Sequence, residues 1–196
     1  MDVFMDPLAR LFGSNTLLKL LRLFLFNDDQ SFTVAEAAAR TKSPKDSVRR
    51  EVNLLISAGV IKKRTGKGGS VHAANPKFPH YAALQNFMRA TSVIDDADIL
   101  SALKRTGTLR LVVLSGMFTG AVDTKVDLLV VGDRLEERSL DTAVQKLEAE
   151  LGRELRFAAF STEEFRYRVG VYDRLIRDAL DYPHKVILDK IGLKEK

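Results

Sequence analysis

A chain of 196 residues, 45% hydrophobic and 29% charged, has the make-up of a globular protein with one large or two small cores. It holds no cysteine, which excludes disulfides and thiolate metal sites, and His72, His80 and His184 stand far apart without ligand-like spacing. They are expected as partly exposed structural residues. The net charge of +5 is uneven: residues 1–90 carry 14 Lys and Arg against 7 Asp and Glu, and residues 91–196 carry 17 against 19. A basic first half joined to a near-neutral second half suggests a polyanion-binding part and a part with another task.

The amino terminus, MDVFMDPLARLF, has Asp2 and Asp6 where a secretory leader would be basic. The strongest apolar run, LLKLLRLFLF, is ten residues long and interrupted by Lys19 and Arg22, too short for a bilayer. A cytoplasmic protein without a membrane partner is expected. Ser14 or Asn15 can cap a helix from about Thr16 to Asn27. Leu17, Leu20, Leu21 and Phe24 mark one face and Leu18 and Leu25 a second, so this helix should be buried on two sides. One side should meet the following helices; the other could meet a second copy of the chain or the C-terminal domain.

After the polar turn NDDQS, Thr33 caps a short helix, VAEAAART, whose small residues Ala35, Ala38 and Ala39 let a neighbour approach closely. A three-residue break, KSP, follows, with Ser43 as N-cap and Pro44 as first helical residue of KDSVRREVNLLISAG. Gly59 stops that helix. Val48, Val52 and Leu55 face the core, while Lys45, Asp46, Arg49, Arg50 and Asn53 fall opposite. Arginine can bond guanine bidentately and asparagine adenine, each worth about 1–3 kcal/mol of discrimination. Lys42 and Ser43, at the positive helix start, suit a phosphate.

Val60 and Ile61 open a strand that continues through Lys62, Lys63 and Arg64. TGKGG turns the chain, and SVHAA returns. Gly66-Lys67 does not make a phosphate-binding P-loop, because Ile61 and Gly68 stand where that motif requires glycine and a hydroxyl. Lys67, with Lys63 and Arg64, is read as a loop tip that touches DNA backbone. The stretch TVAEAAARTKSPKDSVRREVNLLISAGVIKKR, within residues 12–90, resembles the winged helix-turn-helix domains of small bacterial and archaeal transcriptional regulators. The resemblance implies that the second helix of the pair enters the major groove and the wing lies along the backbone, commonly in a dimer.

NPKFPH marks a linker edge at Pro76 and Pro79. YAALQNFMRAT reads as a connecting helix and SVIDDADILSALKR as the start of a new domain, placing the domains at 1–90 and 91–196. Leu109–Leu114 and Val126–Val131 are continuous apolar runs and hence buried strands. EERSLDTAVQKLEAELG is a helix with Leu140, Val144, Leu147 and Leu151 on one face, and ELRFAAF is a third strand. A capping box of Ser161 and Glu164 opens EEFRYRV. VYDRLIRDALDYP is another helix, and KVILD a short strand or strand-like end. The fold class is α+β, its second half a small mixed sheet covered by helices.

About residues 100–192 resemble the minimal nucleotidyltransferase fold, related to the catalytic palm of polymerase β. In active members a Gly-Ser after the first strand holds nucleotide phosphates, an Asp-x-Asp binds two magnesium ions, and a later strand adds a third carboxylate. The matching positions here are Gly116-Met117 and Lys125-Val126-Asp127. Met117 supplies no hydroxyl, Lys125 stands where the first carboxylate belongs, and LRFAAF contains no acid. Two-metal catalysis needs carboxylates to hold the cations, so the resemblance implies a vestigial nucleotide pocket of Gly116, Met117, Lys125 and Asp127. Lys125 and Asp127, two apart, can share a strand face and pair. Asp127 could equally be a plain strand-end acid.

The expectation is therefore a homodimeric regulator of double-stranded DNA, without catalytic residues, metal or cofactor. Its second domain would serve dimerisation or the sensing of a nucleotide or protein effector. The alternative is a metal-dependent nucleotidyltransferase, acting on RNA, protein or a small molecule and targeted by its winged helix. A nucleotide sensor using Gly116 and Lys125 is a third, weaker reading.

Overall fold

The computed structural model describes residues 7–66, 69–92, 94–120 and 123–193. The chain forms two units: Met1–Asp95 together with Gln145–Glu154, and Asp96–Val144 together with Leu155–Lys196. The sequence places the division at residue 90 and does not foresee that residues 145–154 group with the first half. The architecture is α+β, with a two-stranded antiparallel hairpin and a four-stranded mixed sheet.

The first unit opens with a short helix α1 (Pro7–Leu11) and the apolar helix α2 (Asn15–Phe26). Ser14 caps α2, its hydroxyl accepting the Leu17 N–H at 3.1 Å. Every residue from Leu17 to Leu25 is buried, including Lys19 and Arg22. Two-sided burial is thus realised within this unit. Lys19 Nζ meets Glu150 Oε1 at 2.7 Å, and Arg22 donates from Nη1 to the Glu150 carbonyl at 3.1 Å and from Nη2 to the Thr91 carbonyl at 3.4 Å. Buried cations need such partners, because an uncompensated charge in the core is costly. Gly152 packs onto α2 with a left-handed φ of +74°, where a Cβ would lie 2.5 Å from Arg22 Cβ.

Helix α3 (Val34–Thr41) starts with a full capping box, Thr33 Oγ1 accepting from Glu36 N–H and Glu36 accepting from Thr33 N–H. Ala37 and Thr41 are its buried residues. The expected contact residues Ala35 and Ala39 are exposed and Ala38 is half-buried, a phase error of about half a turn in reading an all-alanine face. Helix α4 (Lys45–Ser57) buries Val48, Val52 and Leu55 as expected, and Glu51 as well. The α3–α4 break spans residues 42–44, as the sequence suggests, but its capping differs. Lys42 takes a left-handed conformation (φ 50°), and the Ser43 N–H closes α3 on the Ala38 carbonyl. Ser43 is therefore spent on α3, its hydroxyl donating to the Thr41 carbonyl, and Pro44 becomes the N-cap without a side-chain bond.

Gly59, with φ +77°, ends the helical turn after α4. Strands β1 (Ile61–Gly66) and β2 (Gly69–Ala74) pair antiparallel from Ile61↔Ala74 to Gly66↔Gly69. Phe32 adds a bridge on the outer side of β2, exchanging both backbone hydrogen bonds with His72 at 2.8 Å. His72 is consequently buried, not partly exposed. Helix α5 (Tyr81–Thr91) lies against the same core through Met88, Leu84 and Tyr81.

In the second unit α6 (Asp96–Leu103) precedes β3 (Thr108–Leu114), a 3-10 turn (Gly116–Phe118), β4 (Leu128–Asp133) and α7 (Glu137–Leu151). The end of α7 belongs to the stretch grouped with the first unit. Then come β5 (Phe157–Phe160), α8 (Thr162–Gly170), α9 (Arg174–Leu180) and β6 (Lys185–Asp189). The sheet order is β5-β4-β3-β6, with β3 antiparallel to β4 and β6, and β4 parallel to β5. Leu111, Val113, Leu129 and Val131 pack with Phe165 of α8 and Ile176 and Ala179 of α9. The alternate residues Val112, Leu114, Leu128 and Val130 are buried too. Both faces are covered, which is why these strands read as unbroken apolar runs. At α8 only half the expected capping box forms: Ser161 accepts the Glu164 N–H, while the Glu164 carboxylate holds Arg168. No helix among the described residues is long and apolar enough to cross a membrane.

Candidate nucleic-acid interface and the Asp127 site

Burying Val48, Val52 and Leu55 turns the opposite side of α4 to solvent. Lys45, Asp46, Arg49, Arg50 and Asn53 are all exposed there. Arg49 bonds Asp46 at 3.1 Å, one turn away, and Arg50 reaches Glu51 at 3.3 Å. An exposed pair like Arg49–Asp46 is worth about 0–1 kcal/mol, so the Arg49 guanidinium can be recruited by a stronger anion, while Arg50 is itself exposed but meets the buried Glu51. Leu54, half exposed, continues this row one turn beyond Arg50. The sequence hint was its i+4 spacing from Arg50.

Lys42 and Ser43 do not sit at the start of α4. Lys42 closes α3, and its Nζ donates to Gln145 Oε1 at 2.6 Å, while Arg40 bonds Glu154. On the hairpin, strand alternation separates Lys62 and Arg64 from Lys63. Lys63 stands opposite His72 on the face that carries Ile61 inward, and Lys62 and Arg64 face the other way. Burial holds the His72 imidazole below its usual range, against the bond to the Phe32 carbonyl, and the Lys63 charge adds to the lowering. Lys67, expected at the loop tip, lies outside the described residues.

The second candidate centre is Asp127, just before β4, with only 2% of its surface exposed. Its Oδ1 accepts the Met117 N–H at 2.9 Å and Arg156 Nη2 at 2.8 Å; its Oδ2 accepts Arg156 Nε at 2.9 Å and the Arg156 N–H at 3.0 Å. Arg156 Nη1 donates to the Thr124 carbonyl at 2.5 Å. Burial pushes the Asp127 carboxyl up, but the Arg156 guanidinium and the two backbone donors outweigh it and hold it below the usual carboxylate range. Gly116 (φ +51°) is needed here, since a Cβ would lie 2.1 Å from Asp127 Oδ1.

The expected Lys125–Asp127 pair is not formed. These residues precede β4 rather than lying in it, so strand alternation does not apply: Lys125 is exposed, and its backbone N–H bonds the Asp178 carboxylate. Gly116, Met117 and Asp127 are brought together, while Lys125 is directed elsewhere. Arg156 is the residue that sequence reading passed over; the only signal was a cation directly before the third strand. Among the described residues, no group of three or more His, Asp or Glu side chains stands together as a metal cluster.

No protein-family model, curated protein or solved structure matches this chain. Its chemistry must therefore be read from these two centres.

Proposed function

We propose that this protein is a sequence-specific regulator that binds double-stranded DNA through α4, with the β1–β2 hairpin as a wing beside it. The carrying observation is the outward row Lys45, Arg49, Arg50 and Asn53 on a helix entered by a tight left-handed turn at Lys42 and followed by a basic hairpin. The Phe32–His72 bridge supports the winged helix-turn-helix reading, because it anchors the wing to the segment before α3. In the groove Arg49 and Arg50 serve guanine edges, Asn53 an adenine edge and Leu54 a thymine methyl. Lys45, Lys62 and Arg64 serve phosphates. Each phosphate neutralised should steepen the log–log salt dependence by about 0.9.

In the second unit β4 runs antiparallel to β3 and parallel to β5, and these strand directions support the reading of a nucleotidyltransferase-like palm. We read it as a catalytically silent member of that arrangement. Where metal would bridge carboxylates and phosphates, the Arg156 guanidinium spans both oxygens of Asp127. A fixed organic cation on the remaining carboxylate leaves it no free lone-pair face for a metal. The unit then serves assembly or effector recognition.

The test is fluorescence anisotropy against duplexes selected from a random pool. Arg49→Ala and Arg50→Ala should each weaken the selected site about tenfold or more while non-specific binding changes little. Unchanged affinity for both variants would remove α4 as the reading helix. The strand directions also favour a second reading, a metal-dependent nucleotidyltransferase. Transfer of a labelled nucleotide that is lost in Asp127→Asn would establish it instead.

A further inference from the structure

Helix α9 carries a charge pattern that reads the same in both directions once sign is exchanged. Arg174, Arg177, Asp178 and Asp181 stand at i, i+3, i+4 and i+7, hence on one side of the helix. Together with Tyr172 and Tyr182 they line a single open cleft of the second unit. Laid antiparallel against itself about a point between Arg177 and Asp178, this stripe sets Arg174 against Asp181 and Arg177 against Asp178. A two-fold interface demands this self-complementarity, since each copy presents the same patch to the other.

The stripe sums to zero charge, so it selects neither a polyanion nor a basic partner; its best electrostatic complement is itself. Around it the chain leaves apolar and aromatic surface uncovered: Tyr172 is 78% exposed, and Val171, Leu175 and Tyr182 are exposed as well. Tyrosine and arginine are the residues that dominate binding energy at protein interfaces, and clustered exposed apolar groups mark such surfaces. Within one copy Arg177 already bonds Asp181 at 2.8 Å, while both groups stay more than half exposed; Asp178 is half-buried and holds the Lys125 N–H through Oδ2. That intrahelical pair is weak enough to be exchanged.

We propose that α9 is the two-fold contact of a homodimer, a second copy of this chain lying antiparallel across it. The inference deepens the DNA-binding reading, because a two-fold protein matches an inverted-repeat operator, but its test is independent of DNA. Sedimentation velocity of the full chain should show a dimer at micromolar concentration. Arg174→Asp and Asp181→Arg should each weaken self-association at least about tenfold, since each sets like charges opposite one another. Mixed one to one, the two variants should form a heterodimer, because their altered charges complement each other. Far-UV circular dichroism melts confirm that both variants fold.

A monomeric wild type, variants that stay dimeric, or a mixture that stays monomeric would each overturn the proposal. Titration of an isolated half-site separates the two readings. A wild type that is monomeric yet binds the half-site in an Arg50-dependent way refutes only the dimer. A dimer that binds no duplex refutes only the DNA reading.

Discussion

Replacing Asp127 by alanine tests whether the Asp127–Arg156 pair is a structural brace or an emptied ligand site. The carboxylate accepts four hydrogen bonds, two from the Arg156 side chain and two from the Met117 and Arg156 backbone. Asp127 is 3% exposed in its side chain, whereas Arg156 is 50% exposed. Truncation therefore leaves the guanidinium free to hydrate but strands the two backbone donors, at about 1–3 kcal/mol each. Breaking a buried pair of this kind costs about 3–5 kcal/mol. For a unit of this size each kcal/mol moves the midpoint by about 4–8 °C, so calorimetry should show its melting fall by roughly 12–40 °C. Asp127→Asn should fall less, keeping one acceptor oxygen. Its deficit against wild type should be full above about pH 4 and vanish as pH drops through the depressed carboxyl pKa, because only the native carboxylate resists protonation. A variant as stable as wild type, or more stable, would refute the brace. Such a gain would mean that the carboxylate is held in a site built for something absent.

Burial holds the His72 imidazole below its usual range, so the unfolded chain takes up the proton first. The stability it contributes is complete above about pH 6.5 and lost as pH falls towards the lowered native value; melts at pH 5 and 7.5 should show a slope that His72→Gln flattens. Thr33→Ala should cost about 1 kcal/mol by denaturant titration. Pairing it with Glu36→Ala should give less than the sum, since each closes one half of the same box. Gly152→Ala should cost at least about 2 kcal/mol, combining a left-handed φ with contact on Arg22; a melt within 2 °C of wild type would contradict that packing.

Elements set by local rules were legible beforehand. The leucine-rich stretch around Leu17–Leu25 announced burial on two sides, and every residue from Leu17 to Leu25 is buried. Val48, Val52 and Leu55 gave the phase of α4 correctly, and with it the exposure of Arg49, Arg50 and Asn53. What covers the second side of α2 could not be read, because the partners of Lys19 and Arg22 include Glu150, 128 positions beyond Arg22. Asp127 was singled out from its motif position, but its partner Arg156 lies 29 residues on and is joined by strand pairing, which no local pattern encodes. Ser43 failed for a different reason. Its preference for helix starts was outweighed by the left-handed Lys42, which drew Ser43 into the end of α3.

The DNA-reading role proposed for α4 can be tested directly. The most direct measurement is the affinity of the full chain for a selected duplex, compared with Arg50→Ala across a salt series. Arg50→Ala should bind at least about tenfold more weakly at every salt concentration, with a slope reduced by no more than about one phosphate contact. Equal affinity of the two proteins for the selected site, or no preference of wild type for it over random duplex, would contradict it.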